Sequence, residues 1–150
     1  VMAICSERDR PVLLHTNEPV GHLYPGKAPN TLAQIYDFLK AYPTNRIVLA
    51  HWGGGLFFYA LMKREVREVL EHVWFDTAAS PFLYSPRIYS LAGEIIGFGK
   101  ILFGSDYPLI PPKRYFKEMA AIGIPDHQKA RIQGRNAIRL LGLGLDPVSL

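Results

Sequence analysis

Four short apolar runs recur along this chain, and each delivers a histidine or an aspartate at its C-terminal end. They are residues 11–16 (PVLLHT), 46–52 (RIVLAHW), 73–76 (VWFD) and 100–108 (KILFGSDYP), with His15, His51, Asp76 and Asp106 as the polar markers. The markers lie 36, 25 and 30 residues apart (15 to 51, 51 to 76, 76 to 106), each close to the length of one strand–helix unit. Between the runs the apolar spacing turns helical. Leu32, Ile35, Tyr36 and Leu39 mark a helix over 31–42, Met62, Val66, Val69 and Leu70 one over 56–72, and Ile88, Leu91, Ile95 and Ile96 one over 86–98. Residues 1–8 read as the last turns of a helix entered partway, and 113–122 and 126–141 as two closing helices. Such alternation predicts parallel strands joined by crossover helices. Parallel strands share one rim at their C-terminal ends, so the markers can converge although they are far apart in sequence. Four such units make half of an eight-stranded barrel.

The connections carry their own signals. Residues 17–30 (NEPVGHLYPGKAPN) form a long loop in which Pro19, Gly21, Pro25, Gly26 and Pro29 forbid regular structure, and long loops in compact domains tend to be functional. Asn30 is the expected N-cap of the helix that follows. Three successive glycines, 53–55, let backbone approach closely after His51 and Trp52.

Two imidazoles and a carboxylate on one rim suit a borderline metal such as zinc, which takes neutral His nitrogen and Asp oxygen and leaves a position open for water. The competing reading of each residue is structural. A strand-end histidine can be a hydrogen-bonded scaffold residue, Asp76 can cap its own turn beside Thr77 and Ser80, and Trp52 can be packing. His72 and His127 read as solvated, Met62 and Met119 as core, and the lone Cys5 as a small buried hydrophobe.

Composition excludes several classes. With 150 residues and 49% apolar content the chain is expected to be one domain, 1–150, with a real core. The net charge is +4, but the 17 Lys and Arg are dispersed, so a nucleic-acid partner is not expected. No run is long enough to span a bilayer, no cleaved signal peptide is visible, and one cysteine permits no internal disulfide, so a cytoplasmic location is expected. The glycines lack the Lys-Ser/Thr of a P-loop and the GxGxxG spacing, and neither Ser80 nor Ser105 sits in a nucleophile elbow.

The segments HTNEPVGHLYPGK, LAHWGGG, WFDTAAS and ILFGSDYP, in that order, resemble the second half of the TIM-barrel metal-dependent hydrolases of the amidohydrolase superfamily. The branch is the one related to aminocarboxymuconate semialdehyde decarboxylase, and the similarity extends to the closing NAIRLL helix. The resemblance implies an α/β fold, the C-terminal half of a (β/α)8 barrel, with about four parallel strands, crossover helices and an extra C-terminal helix. It implies His15 as the strand-five metal ligand, His51 as the strand-six acid/base, and Asp106 as a metal ligand that also serves catalysis. Glu18, His22, Lys27 and Trp52 would line the mouth and hold an anionic or aromatic substrate. The cofactor would be a divalent metal, Zn first, with Mn or Fe as alternatives.

The chain contains no HxH pair and nothing corresponding to the first four strands of such a barrel. A fragment of a longer protein is therefore expected, or association of halves as a homo-oligomer. The expected activity is metal-dependent hydrolysis, or decarboxylation, of a small carboxyl- or carbonyl-bearing molecule. The rival expectation is a catalytically incomplete barrel half serving as an interaction or oligomerisation module. A third is a flavodoxin-like open sheet with a ligand at its switch point.

Overall fold

The structure, a computed structural model, describes residues 1–25, 27 and 30–145. Gly26 and Pro29 of the expected loop, and the last five residues of the expected domain, lie outside the described residues. The chain divides into two compact units, Val1–Phe75 and Asp76–Leu150. Among the described residues four strands form one sheet, in which they follow one another in sequence order.

The first unit runs α1 (Met2–Glu7), β1 (Val12–Leu14), α2 (Leu32–Ala41), β2 (Ile47–Leu49), a tight 3-10 segment (His51–Leu61), α3 (Arg64–Val69) and β3 (Val73–Asp76), whose last residue opens the second unit. Here β2 is parallel to both neighbours, with Ile47 opposite Val12 and Val73, and Leu49 opposite Leu14 and Phe75. All three β2 residues are buried, as expected for a parallel strand covered on both faces. Burying a side chain such as Leu49 contributes about 2 kcal/mol. In contrast β1 is only half covered, and Leu13 remains 65% exposed.

Helix α2 begins one residue later than the sequence suggested. Thr31, not Asn30, is the N-cap, in a reciprocal capping box with Gln34. Asn30 is otherwise engaged, as described below.

The expected helix over 56–72 is interrupted. Residues 52–55 take left-handed dihedrals, the 3-10 segment ends at Leu61, and Met62 turns to an extended conformation (φ −80, ψ −161) before α3 begins. Only Val66 and Leu70 of the four expected inward residues are buried, and Met62 is 55% exposed rather than core. The i, i+4 pair belongs to the new helix, whose register Met62 does not share. Cys5 is half-buried, not buried, because α1 has no buried residue.

The second unit continues with α4 (Ser80–Leu83), α5 (Ile88–Ile96), a 3-10 turn (Phe98–Lys100), β4 (Ile101–Leu102), α6 (Pro112–Ala121), α7 (Asp126–Ala130), a π turn (Arg131–Arg135) and α8 (Asn136–Leu141). The Thr77 N–H donates to the Leu102 carbonyl at 3.1 Å, carrying the pairing from the end of β3 onto β4. Gly93 in α5 faces the Phe98 ring so closely that a Cβ would lie 2.3 Å from it. Tyr115 and Met119 of α6 are wholly buried, Met119 as expected. The expected helix over 126–141 is broken by the π turn, where Gly134 leaves helical dihedrals. Buried Asn136 then donates to both the Phe98 and Ile101 carbonyls at 2.7 Å, tying α8 to the start of β4. No helix among the described residues is long and apolar enough to cross a membrane.

Candidate active site

Two strand ends are joined in the first unit. The Ala50 N–H donates to the Leu14 carbonyl at 2.9 Å, and the buried Thr16 hydroxyl donates back to the Ala50 carbonyl. Residues 15 and 51, which flank these bonds, are thereby brought side by side. The imidazoles of His15 and His51 stand edge to face, with centroids 5.0 Å apart and planes at 83°. His15 is exposed and His51 half-buried.

The backbone leaves His51 by a left-handed turn. His51 and Trp52 have φ of 55° and 59°, and Gly53, Gly54 and Gly55 continue at 62°, 61° and 97°. A non-glycine residue in this region costs roughly 1–2 kcal/mol, a strain that persists only where surrounding contacts enforce it. The enforcing contact is at Gly54, where a Cβ would fall 2.2 Å from the Asn17 carbonyl oxygen. Hence the glycine run serves the close approach expected of it, and what it approaches is the loop that follows His15.

That loop is held by side chains that the sequence did not single out. Asn17, buried at 4% exposure, places its Oδ1 2.9 Å from His15 Nε2 and accepts from the Tyr24 hydroxyl at 3.2 Å. Asn30 links Asn17 to the His15 carbonyl. The signal for Asn17 was its place two residues beyond a strand-end histidine; Tyr24 had no local signal, and that of Asn30 pointed to a helix cap.

Glu18 and Lys27 form an ion pair at 2.9 Å, and the Lys27 ammonium also donates to the Val20 and His22 carbonyls at 2.9 and 3.3 Å. Its three hydrogens thus have three acceptors within the loop. Burial alone would raise the Glu18 carboxyl, but bonds from Lys27, its own backbone and Tyr24, with the Lys27 charge, hold it below the usual carboxylate range. The pair fastens residues 18–27 into a closed loop. His22 is exposed, edge-on to Tyr24 at 5.8 Å. Trp52 is wholly buried and packs edge-on against Phe57 at 6.2 Å, a core position that presents no surface to a ligand.

Asp106 belongs to the second unit. It is exposed, with φ of 56°, at the head of a turn in which the Leu109 N–H donates to its carbonyl at 2.8 Å. The preceding residues are clamped from below. Thr77 Oγ1 donates to the Gly104 carbonyl at 2.8 Å and accepts from the Gly104 N–H at 3.0 Å. The Tyr115 hydroxyl donates to the Ser105 carbonyl at 2.7 Å and accepts from the Ala79 N–H at 3.0 Å. Burial, partly offset by that Ala79 bond and reinforced by the charges of Asp106, Asp76 and Glu118, pushes the Tyr115 hydroxyl up to about 12, so it remains a neutral donor. Asp76 is buried and accepts from the Ala78 N–H at 2.9 Å, the turn-capping arrangement.

The donor types at hand, neutral imidazole and carboxylate, match those a divalent metal takes. Among the described residues no group of three or more His, Cys, Asp or Glu is gathered closely enough to hold an ion. Within the first unit the gathered set is the pair His15 and His51.

Comparison with known proteins agrees with the strand-end pattern. No curated protein matches the sequence. Among solved structures, a dihydroxybenzoic acid decarboxylase from Polaromonas sp. JS666, with bound manganese and the inhibitor 2-nitroresorcinol, is 21% identical with a TM-score of 0.75, over 96% of this chain and 53% of that one. The 5-carboxyvanillate decarboxylase of Sphingomonas paucimobilis is 15% identical with a TM-score of 0.72, over 95% and 52%. A 2,6-dihydroxybenzoate decarboxylase from Rhizobium is 19% identical with a TM-score of 0.69, over 94% and 54%. The chain therefore spans about half the length of the structures it resembles, and its fold is the C-terminal half of a (β/α)8 barrel. A family model described as amidohydrolase matches residues 1–143, and on that match the chain belongs to the amidohydrolase family.

Proposed function

We propose that this chain forms the C-terminal half of a metal-dependent amidohydrolase-type enzyme, acting on a small carboxyl- or carbonyl-bearing substrate by hydrolysis or decarboxylation. The observation that carries the reading is the His15–His51 pair, held 5.0 Å apart at the ends of neighbouring parallel strands. His15 and Asp106 would hold the ion, Zn or Mn, and the remaining ligands would come from the other barrel strands, on the same polypeptide or an associated one. When bound, such an ion supplies Lewis-acid charge stabilisation and, for hydrolysis, lowers the pKa of water.

The chain's own residues supply the rest. The His51 imidazole, half-buried and fixed by the left-handed turn behind it, accepts or returns a proton at the reacting carbon or oxygen. The exposed Asp106 carboxylate holds a proton or orients its donor. With its ammonium committed to Glu18, Val20 and His22, Lys27 shapes the loop rather than gripping substrate, and His22 is a titratable loop side chain at the surface beside exposed Val20 and Leu23.

The manganese-bound decarboxylase and its resorcinol inhibitor favour a phenolic acid over other carboxylates as the first substrate class to test. The full natural protein is assayed with dihydroxybenzoic acids and carboxyvanillate for loss of the aromatic acid and release of CO2, with and without added Mn or Zn. Metal-dependent turnover that falls at least about 100-fold in His51→Gln is expected. Turnover in metal-stripped protein, or turnover indifferent to His51, would contradict the proposal.

A second reading, a barrel half used for association, draws on the exposed Leu13 of β1. A stable inactive dimer of the natural protein would favour it.

A further inference from the structure

We infer that Asn17 and Asn30 fix the imidazole of His15 in its Nε2–H tautomer, so that Nδ1 is the ring nitrogen with a lone pair to offer. One atom of the set has a role that cannot be reversed. A backbone carbonyl only accepts, so Asn30 must turn its Nδ2 towards the His15 carbonyl, 3.4 Å away. Asn30 Oδ1 is then the atom that meets Asn17, whose Nδ2 donates to it at 3.5 Å. Asn17 Oδ1 is left facing His15 Nε2 at 2.9 Å. An amide oxygen also only accepts, so the hydrogen resides on Nε2.

The relay leaves His15 at its backbone and returns to its ring. Both long links, to Asn30, set direction; the short one, to the ring, sets the tautomer. The Tyr24 hydroxyl has a single hydrogen, shared between the same Oδ1 at 3.2 Å and Glu18 Oε2 at 3.1 Å, so the orientation is set by the Asn30 links and not by Tyr24. Asn17 has a fixed base from which to act, since it is buried and its carbonyl is seated where a Cβ on Gly54 would intrude. A partner bond that fixes one nitrogen of a histidine selects the other for ligation. Asn17 is thus a positioning residue. The tautomer stands on geometry alone, while the use of Nδ1 as a ligand atom rests on the proposed function.

Long-range 1H–15N correlation spectra of the full natural protein, metal-free and above the imidazole titration range, test this. His15 is expected to show a protonated Nε2 and a bare Nδ1. Asn17→Leu should average the two nitrogens, and Asn17→Asp, which keeps the acceptor, should restore the wild-type pattern. A protonated Nδ1 in the wild type, or a pattern unchanged in Asn17→Leu, would overturn the inference; if Asn17→Leu does not fold, the wild-type spectrum still decides. Added Mn2+ should broaden Nδ1 before Nε2. Broadening at Nε2 first would overturn the selection of Nδ1. An intact tautomer with no broadening would support the inference and count against the metal reading.

Discussion

The two units position their candidate site residues by different means. In the first, exposed His15 is steered by a relay of amide side chains, and His51 by the left-handed turn that leads into the glycine run. In the second, the Asp106 turn rests on a buried clasp, Thr77 and Tyr115, that grips main-chain groups of Gly104, Ser105 and Ala79. A relay of side chains fixes direction and tautomer with little stability at stake, whereas a buried clasp on backbone groups costs stability when it is cut. The two strand ends therefore carry opposite vulnerabilities. Substitutions near Asp106 should act through folding, and those near His15 through chemistry, except where backbone meets backbone at Gly54.

Gly54 should be the most sensitive position. Gly54→Ala places a Cβ 2.2 Å from the Asn17 carbonyl and puts alanine at φ 61°, so a loss of at least about 3 kcal/mol is expected by denaturant unfolding. Next comes Tyr115→Phe, which leaves the Ala79 N–H and the Ser105 carbonyl without the hydroxyl. About 2 kcal/mol should be lost, read as a lower midpoint. Thr77→Val removes both bonds to Gly104 and should cost about 1.5 kcal/mol; a larger effect than that of Gly54→Ala would break the ordering.

The smallest effect belongs to the loop. Lys27→Met should cost about 1 kcal/mol at neutral pH, since the pair closes an exposed loop although its own side chains are largely covered. Because the fold lowers the Glu18 pKa below its ordinary 4.5, the stabilisation is fully present above that value and is lost as pH falls through the lower folded value. The wild type and Lys27→Met should therefore converge in stability in acid. A difference that persists there would remove the ion pair as its cause.

Much of this was legible in the sequence because strand ends are written locally. An apolar run followed by His15 or Asp106 needs no tertiary knowledge, and the triple glycine announces a close approach. What the sequence hid lies across the fold. The break at Met62 was masked because Val66 and Leu70 continue a helical spacing through it. Asn30 was read as a helix cap, yet its side chain serves His15 while Thr31 caps α2. Nothing in the sequence singles out Tyr115, and only folding brings its hydroxyl to the Ser105 carbonyl before the Asp106 turn. Lys27 is expected from the resemblance to line the mouth and help hold substrate, and the three acceptors its hydrogens find in its own loop are not written locally.

At the centre of the proposed function stand His15 and Asp106 as metal ligands. Elemental analysis of the full natural protein, purified without chelator, tests it most directly beside His15→Ala and Asp106→Ala. The account predicts about one equivalent of a divalent metal in the wild type and a several-fold loss in both variants, with folding retained. Metal content unchanged in both variants would contradict it.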